Sequence, residues 1–140
     1  MNGPVLIDTG PLVAMMDTRD PHHAWAVTQL GRIAPPLLTC EAVLAEYFHL
    51  LRCSDKAMDS LRKLLTRGVL EVSFGLAGEE DALCRLLRRY ADVPMSFADA
   101  CLVRMSELHG TARVFTLDSN FRAYRRNSRN VIPLLMPPDR

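Results

Sequence analysis

The chain has no run of apolar residues approaching the roughly 20 needed to cross a bilayer, and its first residues lack the basic-then-apolar pattern of a secretory signal. These absences predict a protein that stays in the cytoplasm and makes no membrane contact. It has no C-x-x-C pair either. Cys40, Cys53, Cys84 and Cys101 stand apart, mostly within apolar periodic stretches, which argues for small buried thiols and against a thiolate metal site. An excess of one charge is missing too: 17 basic against 16 acidic residues leaves a formal net charge of +1, so no global positive field attracts polyanions. A nucleic-acid partner would have to be held by a local patch. No internal repeat, long linker or low-complexity segment marks a boundary. What is present is 140 residues with a 49% hydrophobic fraction, enough for one packed core. The expectation is a single domain over residues 1–135, followed by a frayed tail at 136–140 that carries two prolines.

The strongest local signal is Val5-Leu6-Ile7-Asp8-Thr9-Gly10-Pro11, where an apolar run meets a carboxylate, a turn-former and a proline. It reads as a buried strand ending in an acid. The pattern recurs where Val114-Phe115-Thr116-Leu117 leads into Asp118. Between them, strands are predicted at 37–39 and 69–73, with a short one at 131–132 before Pro133. A short helix is expected over 12–16, and a second over 22–29 with Asp20 as N-cap and Pro21 in its first turn. The adjacent His22 and His23 cannot share a helix face and read as exposed imidazoles rather than metal ligands. A helix over 41–52 presents Val43, Leu44, Tyr47, Phe48, Leu50 and Leu51 on one broad apolar face. Further helices are expected from Ser54 or Asp55 to 67, over 79–90 and over 96–109. Strands alternating with helices predict an α/β fold, a three-layer α/β/α sandwich around a mainly parallel sheet of four to five strands.

In such a sheet ligands gather beyond the carboxyl ends of the strands, where Asp8 and Asp118 would stand. Two further acids belong to helices: Glu46, at the border of its apolar stripe, and Asp99, at the start of the helix from 96. Each has a purely structural reading. Ser96-Phe97-Ala98-Asp99 is a capping-box pattern, Asp118 is placed to cap a short helix at Ser119-Asn120-Phe121, and Glu46 could reach water. Glu79, Glu80 and Asp81 are accounted for by the helix dipole alone. Together, Asp8, Glu46, Asp99 and Asp118 argue differently. Four like charges at one edge would raise their own pKa values and destabilise the fold unless a cation neutralised them. All-oxygen ligation suits Mg²⁺ or Mn²⁺, and such ions support phosphodiester hydrolysis.

At these residues the chain resembles the PIN-domain nucleases. Val5-Leu6-Ile7-Asp8-Thr9 is similar to the family's opening strand and first acid, Val43-Leu44-Ala45-Glu46 to its helix-borne glutamate, Ser96-Phe97-Ala98-Asp99-Ala100-Cys101-Leu102 to its third acidic motif, and Thr116-Leu117-Asp118-Ser119-Asn120-Phe121 to its fourth. The resemblance implies a Mg²⁺- or Mn²⁺-dependent endoribonuclease whose catalytic metal ligands correspond to Asp8, Glu46, Asp99 and Asp118, with Thr116 a hydroxyl close to the metals. It further implies the toxin of a VapC-type toxin–antitoxin pair: a homodimer with an RNA substrate, held inactive by a small antitoxin. Asn120 departs from the pattern, since many relatives carry another acid there.

The one basic patch is Phe121-Arg122-Ala123-Tyr124-Arg125-Arg126-Asn127-Ser128-Arg129, four arginines interleaved with two aromatics. Arg122, Arg125, Arg126 and Arg129 are candidate phosphate contacts, or else a solvated basic face. Two other functions are compatible with fragments of the chain. A catalytically silent scaffold of the same fold could bind RNA or protein. Asp8-Thr9-Gly10 is also the signature tripeptide of aspartic proteases, whose almost entirely β fold conflicts with the helical periodicity over 41–52 and 96–109.

Overall fold

The computed structural model describes residues 3–138. At its centre β1 (Val5–Ile7) lies between β2 (Leu37–Cys40) and β4 (Arg113–Phe115), with β3 (Leu70–Phe74) beyond β2 and β7 (Leu134–Leu135) beyond β4. All four pairings are parallel. Every residue of β1 and β2 is buried, as expected of parallel strands covered on both faces. Six helices provide that cover: α1 (Thr9–Met16), α2 (His23–Arg32), α3 (Glu41–Leu50), α4 (Asp55–Thr66), α5 (Glu80–Arg89) and α6 (Phe97–Leu108). The expected sandwich is therefore present, with five strands. Asp8-Thr9-Gly10 occupies a strand-to-helix junction in a helix-rich parallel fold, which removes the all-β setting that an aspartic protease requires.

Local chemistry starts and stops the helices where the sequence signals it. Ser54 accepts the Ala57 amide at 3.1 Å and caps α4, which ends before Gly68 at φ +73°, a left-handed conformation that a glycine adopts at no steric cost. Ser96 and Asp99 form the reciprocal capping box of α6, with bonds of 3.0 and 3.1 Å. α1 begins directly after β1, so the acid at the strand's end is also the helix's N-cap.

Five expectations need correction. Asp20 does not cap α2: its carboxylate accepts the His22 amide at 2.8 Å, closing a turn of its own, and the helix starts at His23. His23 is half-buried, its Nδ1 2.7 Å from the Ala14 carbonyl oxygen. The apolar face of α3 is narrower than predicted. Val43, Leu44 and Tyr47 point inward, whereas Phe48 is 38% and Leu50 59% exposed, because only one side of the helix meets the core. The fifth strand of the sheet is β7 rather than residues 131–132. Val131 pairs instead with Arg125, in a two-stranded hairpin of β5 (Arg125–Arg126) and β6 (Asn130–Val131) turned by Asn127 and Ser128 at φ +51° and +67°. Finally, only Cys40 and Cys101 are buried; Cys53 and Cys84 are exposed, and all four are free thiols.

Residues 136–138 follow β7 without regular structure, and residues 139–140 of the expected tail lie outside the described residues. Among the described residues no helix is long and apolar enough to cross a membrane. The core is one cluster running from β1 through β4 and α6 to Phe121, Tyr124 and Ile132. Leu61, fully buried where α4 meets it, should show the cavity penalty on truncation: Leu61→Ala is expected to cost about 2–5 kcal/mol. Leu50→Ala, on the outer face of α3, should cost less than about 1 kcal/mol. Urea denaturation of the two variants checks the assignment of faces, and equal losses would contradict it.

Candidate active site

The register of the two central strands builds the site. Ile7 stands opposite Phe115 in the parallel pairing, so the next residues, Asp8 and Thr116, also lie side by side. Asp8 donates its amide to the Phe115 carbonyl at 2.9 Å. Its carboxylate, buried, accepts the Thr9 amide on Oδ1 and the Thr116 hydroxyl on Oδ2, both at 2.8 Å. Thr116 Oγ1 in turn accepts the Asp118 amide at 3.0 Å, which commits the hydroxyl hydrogen to Asp8. Asp118 then caps a short 3-10 turn (Ser119–Arg122) by accepting the Asn120 amide at 2.9 Å.

Two helices bring the other acids to the same place. Glu46 projects from α3 and accepts the Thr9 hydroxyl on Oε2 at 2.9 Å. Asp99 sits buried in the first turn of α6, where Oδ2 accepts both the Ser96 amide and the Tyr124 hydroxyl, the latter at 3.2 Å. Asp8, Glu46, Asp99 and Asp118 line one cleft of about 510 Å³, and Asp20 adds a fifth carboxylate to its wall. The structure thus brings together all four acids singled out in the sequence.

Burial is the main cause that pushes the Asp8 carboxyl up to about 6; the Thr116 and Thr9 bonds oppose it, and the charges of Asp99 and Glu46 reinforce it. Asp99 is raised for the same leading reason, against the bonds from Ser96 and Tyr124 and with a contribution from Asp118. Burial also raises the Tyr124 hydroxyl, so it stays a neutral donor to Asp99. Among the described residues no three His, Cys, Asp or Glu side chains close around a point as a ready-made ion cage. A hard cation such as Mg²⁺ retains several waters and takes only one or two carboxylates from a protein, so this open, all-oxygen donor set fits one in kind.

Sequence reasoning missed Thr9 and Tyr124, the hydroxyls that hold Glu46 and Asp99, and treated Asp20 only as a cap. Thr9 could have been found from its place beside Asp8; nothing in the local sequence links Tyr124 to Asp99, 25 residues away. The basic segment also differs from expectation. Phe121 and Tyr124 are fully buried and pack edge-on at 5.1 Å, so neither offers a stacking face to a base. Arg122 and Arg129 are exposed, and Arg125 and Arg126 half-buried.

Residues 5–127 match the family model described as PIN domain. Over 116 residues the chain is 29% identical to Ribonuclease VapC26 of Mycobacterium tuberculosis, an alignment covering 81% of this chain and 86% of that protein. The crystal structure of VapC20 from the same organism, described as a sarcin-ricin loop cleaving toxin, is similar in fold at a TM-score of 0.75 and 24% identity, covering 85% of this chain and 93% of that one.

The buried acid has a consequence for stability. Asp8 ionises near 3.8 when unfolded and near 6 when folded, so its charge opposes folding by about 3 kcal/mol above pH 6 and by nothing once both states are protonated. Asp8→Asn should therefore raise the melting temperature of metal-free protein above about pH 6, and the gain should vanish as the pH falls toward about 4. Melting curves of both proteins in EDTA across that range provide the check. A gain that does not change with pH would contradict it.

Proposed function

The chain belongs to the PIN-domain family, and from that premise we propose that it is an endoribonuclease that hydrolyses RNA phosphodiester bonds with Mg²⁺ or Mn²⁺ held by Asp8, Glu46, Asp99 and Asp118. The observation that carries this reading is the single cleft at the carboxyl edge of a parallel sheet, rimmed by four acids from four separate segments, two of them buried. Acids buried in one cleft at such a cost to stability are explained by a cation that repays it. The likeness to a protein named as a ribonuclease supports RNA as the substrate.

When bound, such an ion supplies Lewis acidity, which polarises a phosphoryl oxygen and acidifies water. The remaining work falls to the chain. Thr116 orients the Asp8 carboxylate, because its hydroxyl has one acceptor left to serve. Thr9 holds Glu46 through the shorter of the two bonds open to its hydroxyl, 2.9 Å against 3.4 Å to the Val43 carbonyl, and the Ser96 amide with the Tyr124 hydroxyl fixes Asp99. Each acid is thus held by a donor that belongs to the fold and not to the substrate, so the donor set is organised before RNA arrives. Arg122, Arg125, Arg126 and Arg129 are assigned to phosphate contacts.

The same reading makes residues 1–135 one nuclease domain with 136–140 as its tail. It makes the protein the cytoplasmic toxin of a toxin–antitoxin pair, a homodimer controlled by an antitoxin. The solved relative described as a toxin supports this part.

Wild-type protein with Mn²⁺ should cleave a mixed RNA pool, EDTA should abolish cleavage, and Asp8→Asn or Asp99→Asn should each lower the rate at least about 100-fold. Thr116→Val keeps every carboxylate and is expected to lose about 10–100-fold in kcat with KM little changed. Cleavage by Asp8→Asn at the wild-type rate would refute the assignment. No cleavage of any RNA together with no Mn²⁺ binding would leave a silent scaffold.

A further inference from the structure

A second cleft, of about 480 Å³, opens between α5, α6 and the β5–β6 hairpin. Its chemistry is opposite to that of the acidic cleft. Arg85 and Arg89 stand one turn apart on α5, Arg125 enters from β5, and Arg104 from α6. The carboxylates nearby are already committed. Arg104 donates to Glu79 at 2.6 Å and to Glu107 at 3.2 Å, and the second oxygen of Glu107 accepts the Asn127 amide at 2.6 Å.

The other three guanidinium groups keep their charge. Arg89 donates to the Ser128 carbonyl at 2.7 Å, and Arg125 to the carbonyls of Arg122 and Tyr124 at 2.7 and 3.0 Å. A carbonyl carries no formal charge, so these bonds aim the two groups without neutralising them. Arg85 has no hydrogen-bond or ion-pair partner among the described residues. Like charges one turn apart on a helix are unfavourable, and although Arg89 lies over the Tyr90 ring at 5.4 Å, no carboxylate among the described residues is ion-paired with Arg85 or Arg89. Positive groups that are oriented and uncompensated in one concavity match the geometry and charge of phosphate.

Two structural links to the acidic cleft, through α6 and through Tyr124, indicate whose phosphate. Asp99 and Arg104 are five positions apart on α6, about 7.5 Å of helix rise. Tyr124, whose hydroxyl donates to Asp99, immediately precedes Arg125. A strand with one phosphate at the acids can therefore place a phosphate a few nucleotides away against the arginines. With Phe121 and Tyr124 buried, such contact would be made with the backbone and not with the bases. We propose that the cleft formed by Arg85, Arg89 and Arg125 binds the phosphate backbone of the RNA away from the scissile bond, as an anchor indifferent to sequence. The proposal rests on the ribonuclease reading above, and it adds two arginines of α5 that the basic segment at 122–129 does not include.

The test measures fluorescence anisotropy of a labelled single-stranded RNA with the full chain carrying Asp8→Asn, in EDTA, across a series of KCl concentrations. Arg85→Glu, which breaks no bond within the protein, should weaken binding about tenfold or more at low salt for every RNA sequence tried. Arg85→Gln combined with Arg89→Gln should reduce the slope of log affinity against log salt by about 1.4, two single-strand phosphate contacts. Arg67→Gln, on the far end of α4, should change neither. RNA binding with an unaltered slope in both α5 variants would overturn the anchor while leaving cleavage by the wild type, and so the nuclease reading, untouched. Loss of RNA binding in those variants, in a protein that never cleaves with Mn²⁺, would support the anchor and sink the nuclease. Polyglutamate that binds the wild type and is released by Arg85→Glu, with RNA affinity unchanged, would give the cleft to an acidic protein segment and overturn the proposal.

Discussion

The hydrogen bond from Thr116 to Asp8 is the constraint on which the site depends. It exists because β1 and β4 pair in parallel with Ile7 opposite Phe115, so the first residue past each strand faces its neighbour. Shifting that register by one residue would turn every side chain of β1 to the other face of the sheet and withdraw Asp8 from the cleft. The buried strand cores, Leu6 and Ile7 against Val114 and Phe115, hold the register, so the apolar centre of the molecule determines where its most polar group stands. From Thr116 the order propagates to Asp118 through its amide and on to the 3-10 turn.

Asp8 and Asp99 are buried acids whose pKa values are raised chiefly by loss of water, and each is held by two or more donors. The donors lower the cost without removing it. A group kept in an unfavourable state by its surroundings is characteristic of functional sites, where binding of an opposite charge recovers what folding gave up. The same logic explains why helix capping and site chemistry coincide here. Asp8 caps α1, Asp99 completes the capping box of α6 and Asp118 caps the 3-10 turn, so three of the four acids are positioned by backbone amides that need an acceptor anyway.

The near-zero net charge conceals a strong separation. Acids collect in one cleft and arginines in another, with α6 contributing Asp99 to the first and Arg104 to the second. Between them, Tyr124 links the hairpin to Asp99, while Tyr90 accepts the Arg125 amide at 2.9 Å and packs edge-on to Tyr124 at 5.1 Å. The hairpin that presents Arg125 is therefore tied to a buried acid through the Tyr124 hydroxyl and braced by that of Tyr90.

How much of this was legible depended on the distance over which each signal acts. Apolar runs, caps and glycine stops act within a few residues, and they defined the strands, the helices and the alternation that makes a parallel sandwich. They also marked Asp8, Glu46, Asp99 and Asp118, because an acid at a strand end, in a first helical turn or at the border of an apolar helix stripe is a local pattern. The width of the buried face of α3, the identity of the edge strand and the fate of Phe121 and Tyr124 were not legible, since burial depends on which surface a segment meets. Thr9 holding Glu46, Tyr124 holding Asp99, and Arg85 joining Arg125 across a second cleft are contacts between segments far apart in the chain. The sequence by itself determined which groups could do chemistry and which elements carry them. Only the tertiary structure decided which groups meet, because strand register and helix packing bring distant side chains within hydrogen-bonding distance.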